Sequence, residues 1–343
     1  MRESRTYGSV RGALSNERPY RDRREFITLL GGAATTWPLT ARAQQSIGKL
    51  PRIGSIQTFA NENTEAFELG LREVGYVHDR NMLLETRFHR GSVERIDEFA
   101  AEFVALKCDV IFATAPYGIR AVLKATSTIP IVGLDLESDP VANGWVRSIA
   151  RPGGNLTGLF LDIPELGGKQ IELLREAVPT AENLGVLWDP TIGAIQFEAT
   201  EMAARSAGVR LQSLPIPPLG EIDEAIESAR RAQVHGLIVL TSPLIFNQRS
   251  HIAELALAAR LPTISIFSTF PRVGGLMAYG PALPALFKQA ASYVARILGG
   301  AKAGELPIER PSRFELVINL KSAKALGLEL PLFLQQRADE VIE

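Results

Sequence analysis

From Arg52 onward, short apolar runs alternate with helical stretches, and this alternation constrains the fold more than any other feature of the chain. "RIGSIQ" (52–57), "CDVIFAT" (108–114) and "IPIVGLDL" (129–136) read as strands, and "NMLLETRFH" (81–89) alternates. Between them, "NTEAFELGLREVGY" (63–76), "VERIDEFAAEFVALK" (93–107) and "GIRAVLKATS" (118–127) carry apolar residues at helical spacing. The pattern then starts again with "NLGVLWD", "AIQFEATEMAARSAG", "VRLQSLPI", "EIDEAIESARRAQ", "HGLIVLTSP", "HIAELALAARL" and "PTISIFS". Near-continuous apolar strands separated by helices need cover on both faces, so parallel sheets in an α/β fold are expected. The two halves repeat the pattern without repeating the sequence. They predict two doubly wound parallel-sheet lobes of similar size.

Between the halves, Pro152-Gly153-Gly154-Asn155 is a strong turn signal, and "LTGLFL" (156–161) reads as a strand crossing between lobes. After "GGLMAYGP", a long helix at 282–300 is followed by "ELPIERPSRFELVINL", a second extended crossing. Several crossings predict an interlobe hinge. The expected division is 52–158 plus about 281–310 for the first lobe, and 159–280 plus about 314–343 for the second.

The segment "RDRREFITLLGGAATTWPLTARAQQ" (21–45) fits neither lobe. Its uncharged run from Phe26 to Ala41 is shorter than the roughly 20 residues that cross a bilayer as a helix. The Gly31-Gly32 pair and Pro38 also disfavour a buried helix. As an address label every part fits: a basic start, a weakly apolar middle and the small-x-small site Ala41-Arg42-Ala43. Arg23-Arg24-Glu25-Phe26-Ile27 resembles the core of a twin-arginine export signal. Residues 1–43 are therefore expected to be an export signal with an extended basic region, cleaved near Ala43. That segment holds eight arginines and four acids, so the remaining 29 basic and 34 acidic residues leave a formal charge of −5. Such a balance does not suit nonspecific binding of nucleic acid. No second long apolar run follows, so the exported chain is expected free in the periplasm, not embedded in a membrane, and monomeric. The single cysteine, Cys108, excludes an intrachain disulfide.

In open α/β sheets ligands bind beyond the carboxyl ends of the strands. With two lobes facing each other, those loops line one cleft. The candidate contacts are Thr58 and Phe59; Thr114, Pro116 and Tyr117; Asp135 and Glu137; Asp189; Thr241 and Ser242; Phe267; and Tyr279. Short hydroxyls can hold a carboxylate, an acid can hold an ammonium group, and Tyr or Phe faces can sandwich a ring. Taken singly, Thr, Ser and Asp at strand-to-helix junctions are routine helix caps, so the case rests on the set.

Catalytic readings find less support. No glycine-rich phosphate loop follows the first strand, no P-loop lysine motif occurs, and no G-x-S-x-G elbow occurs. His78, His89, His235 and His251 are scattered without metal-ligand spacing. Asp135, Glu137 and Asp139 are close enough to perturb one another, which suits a solvated loop or a cation-binding lip better than acid–base chemistry. No catalytic residue, metal or cofactor is expected.

"ATSTIPIVGLDLESDPVANGWVRSIARPGGNLTG" (125–158), "KQIELLREAVPTAENLGVLWDP" (169–190) and "FELVINLKSAKALGLELP" (314–331) together resemble the ABC transporter substrate-binding proteins of the tryptophan- and tyrosine-binding type. The resemblance covers about residues 52–343. It implies a type I-like periplasmic binding fold with three interlobe crossings. It also implies capture of a small solute by hinge closure, and delivery to a membrane permease with its separate ATPase. The "GLDLESDP" stretch is more acidic than in many relatives, and "TAPYG" places a tyrosine where a small residue is common. The family-like ligand is an amino acid, with an aromatic or other organic acid close behind. A sensor of the same fold feeding a signalling partner is the alternative, and an exported α/β enzyme is a weaker one.

Overall fold

The computed structural model describes residues 49–343 except 91, 162 and 217–221; the export-signal reading of residues 1–43 lies outside the described residues. Two sheets carry the architecture. The first holds β1 (Arg52–Gln57), β2 (Leu83–Phe88), β3 (Val110–Thr114), β4 (Ile131–Asp135) and β5 (Leu156–Phe160) in the order β2-β1-β3-β4-β5, all parallel. The second holds β6 (Asn183–Trp188), β7 (Arg210–Pro215), β8 (Leu237–Val239), β9 (Thr263–Ser265), β10 (Met277–Pro281), β11 (Phe314–Asn319) and β12 (Glu340–Ile342). Its order is β12-β11-β10-β9-β8-β6-β7. In both sheets the first strand of the lobe lies between its second and third, so the repeat legible in the sequence is a repeat of topology. The β10–β11 pair is antiparallel, because β11 carries the chain back from the other lobe.

Every residue of β3, β4, β5, β8 and β9 is buried, as two-sided cover requires. On one face of the first sheet lie α1 (Glu62–Glu73) and α9 (Leu283–Leu298). There Phe67 stacks on Phe112 at 4.2 Å, and Phe112 meets Phe287 edge-on at 5.7 Å. A side chain at Gly70 would come within 2.8 Å of the Lys288 backbone, so glycine sets how closely α1 and α9 approach. The opposite face is covered by α2 (Val93–Ala105) and α3 (Ala115–Ala125), which bring Phe103, Ile119 and Val122 against Ile56 and Ile111. In the second sheet, α4 (Ile163–Ala177) packs Leu174 with Val186, Ile238 and Ile264. The other face is covered by α6 (Ile222–Arg231) and α8 (Arg249–Ala258), whose Ile226 and Ile252 join Leu187, Leu237 and Val239. The remaining helices are α5 (Ala194–Ser206), α7 (Pro243–Asn247), α10 (Leu320–Leu326) and α11 (Leu332–Gln336).

The chain passes between the sheets after β5, after β10 and before β11. "LTGLFL", read from the sequence as a crossing, is instead the edge strand of the first sheet, and the crossing follows it. The returning segment lies along that edge: the Glu309 amide donates to the Gly158 carbonyl and the Phe160 amide to the Glu309 carbonyl, both at 3.0 Å. Thr157 Oγ1 donates to the Leu306 carbonyl at 2.8 Å. On the other side, Pro281 pairs with Phe314, so the two remaining crossings leave the second sheet as neighbours. Three strands hydrogen-bonded side by side can bend together while keeping the lobes in register.

Candidate functional site

The carboxyl ends of β1, β3 and β4 face those of β8 and β9 across one cavity. Its lining comes from both lobes. Thr58, Phe59, Asn63, Thr114, Glu137 and Phe287 stand on the first; Thr241, Ser242, Phe246 and Phe267 stand on the second. Leu134, Leu136 and Leu283 complete an apolar wall. Four phenylalanines around one space suit a flat apolar group, and Phe246 and Phe267 already meet edge-on at 4.8 Å.

Local structure fixes each contributor. At the end of β1, Gln57 Oε1 accepts from Thr64 Oγ1 at 2.8 Å, tying the strand to the first turn of α1. Asn61 caps that helix, accepting from the Asn63 amide at 3.0 Å. β3 runs into α3 through Ala115, which lines the cavity with a φ of 62°, unusual for a residue with a side chain. On the second lobe, Ser242 caps α7 by accepting from the Ile245 amide at 3.1 Å. Thr241 is held from both sides by the buried Gln196: its amide donates to Oε1 and its carbonyl accepts from Nε2, each at 3.1 Å.

One hydrogen bond closes the gap between lobes. Thr241 Oγ1 donates to Glu137 Oε1 at 3.0 Å. Glu137 in turn leans on Asp135, whose Oδ1 accepts from the Glu137 amide at 2.8 Å. Asp135 is fully buried and Glu137 nearly so, with 5 % exposed. Burial raises both carboxyls, and the neighbouring Asp135 pushes Glu137 further, well above the usual carboxylate range.

Seven of the twelve residues singled out in the sequence meet at this cavity: Thr58, Phe59, Thr114, Glu137, Thr241, Ser242 and Phe267. The other five lie outside its lining. Pro116 is buried in the first turn of α3. Tyr117 sits behind the cavity, its ring edge-on to His89 at 5.4 Å. Burial, and then the charges of Glu137 and Asp189, raise the Tyr117 phenol far above its ordinary range. Asp135 stands behind Glu137. Asp189 is spent on its own turn, accepting from the Thr191 amide at 2.9 Å and hydroxyl at 2.5 Å. Tyr279 stacks on Phe314 at 5.8 Å beside the hinge.

The residues not singled out are instructive. Asn61 and Asn63 begin α1 directly after the β1 loop, where the capping sequence "NENT" was the available signal. Leu283 and Phe287 lie one turn apart on α9, a helix that follows β10 in sequence yet packs on the other lobe. No strand-end rule points to them.

Comparison with known proteins agrees with this geometry. The family model described as "ABC transporter substrate binding protein" matches residues 60–342. A tyrosine-binding protein of Clostridioides difficile (strain R20291) is 26% identical over 269 residues, which is 77% of this chain and 76% of that protein. Among solved structures, a conserved domain protein from Vibrio cholerae superposes with a TM-score of 0.80 at 24% identity, covering 85% of this chain and 100% of that one. An ABC domain in complex with L-Trp from Streptococcus pneumonia gives 0.79 at 22% identity, covering 86% and 100%.

Proposed function

Because the chain belongs to the ABC transporter substrate-binding protein family, we propose that it is a receptor for an amino acid with an aromatic or other apolar side chain, delivered to a membrane permease driven by a separate ATPase. The observation that carries this reading is the cavity itself. Phe59 and Phe287 from one lobe and Phe246 and Phe267 from the other surround a space with the Glu137 carboxyl in its wall. A ring fits among the phenylalanines and a polar head fits at the acid. The tyrosine-binding relative and the L-Trp complex of a similar structure support the same ligand class.

Selectivity and transport follow from one property. A ligand touching both lobes binds the closed arrangement better than the open one, and shifts the population by that difference. Closure reshapes the outer surface near the cleft, which is what a permease would read. The twin-arginine-like segment before Gln44 supports export with cleavage near Ala43, and action as a monomer in the periplasm. In this reading the chain carries no catalytic group, and the ligand leaves unchanged.

A thermal-shift screen tests it. The chain from Gln44 is heated with amino acids, aromatic acids, short branched acids, nucleobases and sugars. At a hundredfold excess over Kd a true ligand adds about 2.7 kcal/mol. Clear shifts are expected from tyrosine, tryptophan or a similar apolar amino acid. Shifts from sugars or nucleobases alone would overturn the ligand class.

A further inference from the structure

Among the described residues, Phe246 is the only phenylalanine of the cavity wall with a cation on its ring. The Arg249 guanidinium carbon lies 4.3 Å from the ring centroid, and Nη1 donates to the Phe246 carbonyl at 2.9 Å. Phe246 belongs to α7 and Arg249 opens α8, so the break between the two helices at Gln248 lets the arginine lie back over the ring. Arg249 is half-buried, and its Nε is buried without a hydrogen-bond acceptor. Among the described residues no carboxylate pairs with it. A charge drawn out of water normally has a partner, and here the π-face of Phe246 takes that place. Phe246 lines the cavity and Arg249 does not, so the ring stands between the charge and the ligand space.

Resting on the reading of the cavity as a seat for an aromatic amino acid, we propose that Arg249 is a positioning residue acting through Phe246. It fixes that ring in the wall and draws electron density from it, so that the cavity prefers an electron-rich ring, a phenol or an indole, stacked parallel to Phe246. A phenyl face ordinarily carries negative potential, which disfavours a second electron-rich face laid upon it. A cation on the far side pulls that potential away and makes the near side a better platform. The second wall fits the same pose. Phe246 and Phe267 meet with their planes at 74°, so a ligand ring parallel to Phe246 stands nearly perpendicular to Phe267, in the edge-to-face arrangement that ring pairs favour. Phe59 and Phe287, on the other lobe, have no cation over their rings among the described residues. The electron density of the ligand ring is therefore read by the second lobe.

Calorimetric titration tests this with L-tryptophan and L-tyrosine and with their mono- and difluorinated ring derivatives, at about pH 6, where the phenols stay neutral. Each fluorine withdraws electron density from the ligand ring with little change in size. The readout is the change in affinity per fluorine, compared between the wild-type chain and variants, since added apolar surface counts equally in all of them. Arg249→Met keeps an apolar stem and removes the charge. It should bind the parent ligand about two- to tenfold more weakly. Each fluorine should then cost the wild type more affinity than it costs Arg249→Met. Arg249→Gln is a second neutral variant and should behave as Arg249→Met does, whereas Arg249→Lys keeps a cation and should follow the wild-type series. Thermal denaturation of each variant identifies those that fold. A role in packing alone would weaken every member of a series by the same factor. Parallel series in the wild type and in the folded neutral variants would therefore overturn the proposal while leaving an aromatic receptor standing. Failure of both parent amino acids to bind the wild-type chain would overturn the aromatic reading, and this inference with it.

Discussion

Gln196 shows how a residue that touches no ligand can set the geometry of a site. It grips both backbone groups of Thr241 from the buried face of α5, and Thr241 then reaches across to Glu137. Gln196→Ala would leave a buried amide and a buried carbonyl without partners. It should cost about 1–3 kcal/mol of stability. Because Thr241 would lose its anchor, ligand affinity should fall as well. Urea denaturation and a binding titration on the same variant check this; an unchanged affinity would show that Thr241 needs no positioning. Gln196 was not legible as a site residue because it lies inside an ordinary helix, "AIQFEATEMAARS", and its role appears only when α5 packs under the β8 loop. The strand-end residues were legible for the opposite reason, since their position follows from the sheet rule alone.

Among elements, β5 carries the sharpest constraint. Gly158 has φ of 137°, and a side chain there would lie 2.0 Å from the Gly133 carbonyl on β4. The same residue accepts from Glu309, so it holds β4, β5 and the returning hinge segment together. Gly158→Ala should destabilise the protein by at least about 2 kcal/mol, read from the denaturation midpoint, and a near-neutral result would show that β5 shifts freely. The "RPGGN" turn marked this region in the sequence, but its strand was read as a crossing because a short apolar run carries no information about which sheet it joins. The amphipathic pattern of α9 was plain, and its packing against α1 and the β3 core depends on the hinge bringing the chain back. Helix and strand identity are local properties; sheet membership is not.

At the scale of the molecule, two sheets of matching strand order share one cavity and are joined by three crossings. Repetition of the β/α pattern made this architecture readable in the sequence, and the acidic "GLDLES" stretch contains Glu137, which lines the cavity. The wall of phenylalanines was only partly foreseen. Phe59 and Phe267 follow strands, whereas Phe246 and Phe287 reach the cavity from helices. As a receptor, the protein must hold an intact amino acid in that cavity between the lobes. Equilibrium dialysis of the chain from Gln44 against L-tyrosine and L-tryptophan, with mass analysis of the ligand on both sides of the membrane, tests it most directly. Saturable uptake of one molecule per chain is expected for at least one of the two, recovered chemically unchanged. No saturable uptake of either, or recovery of an altered molecule, would contradict it.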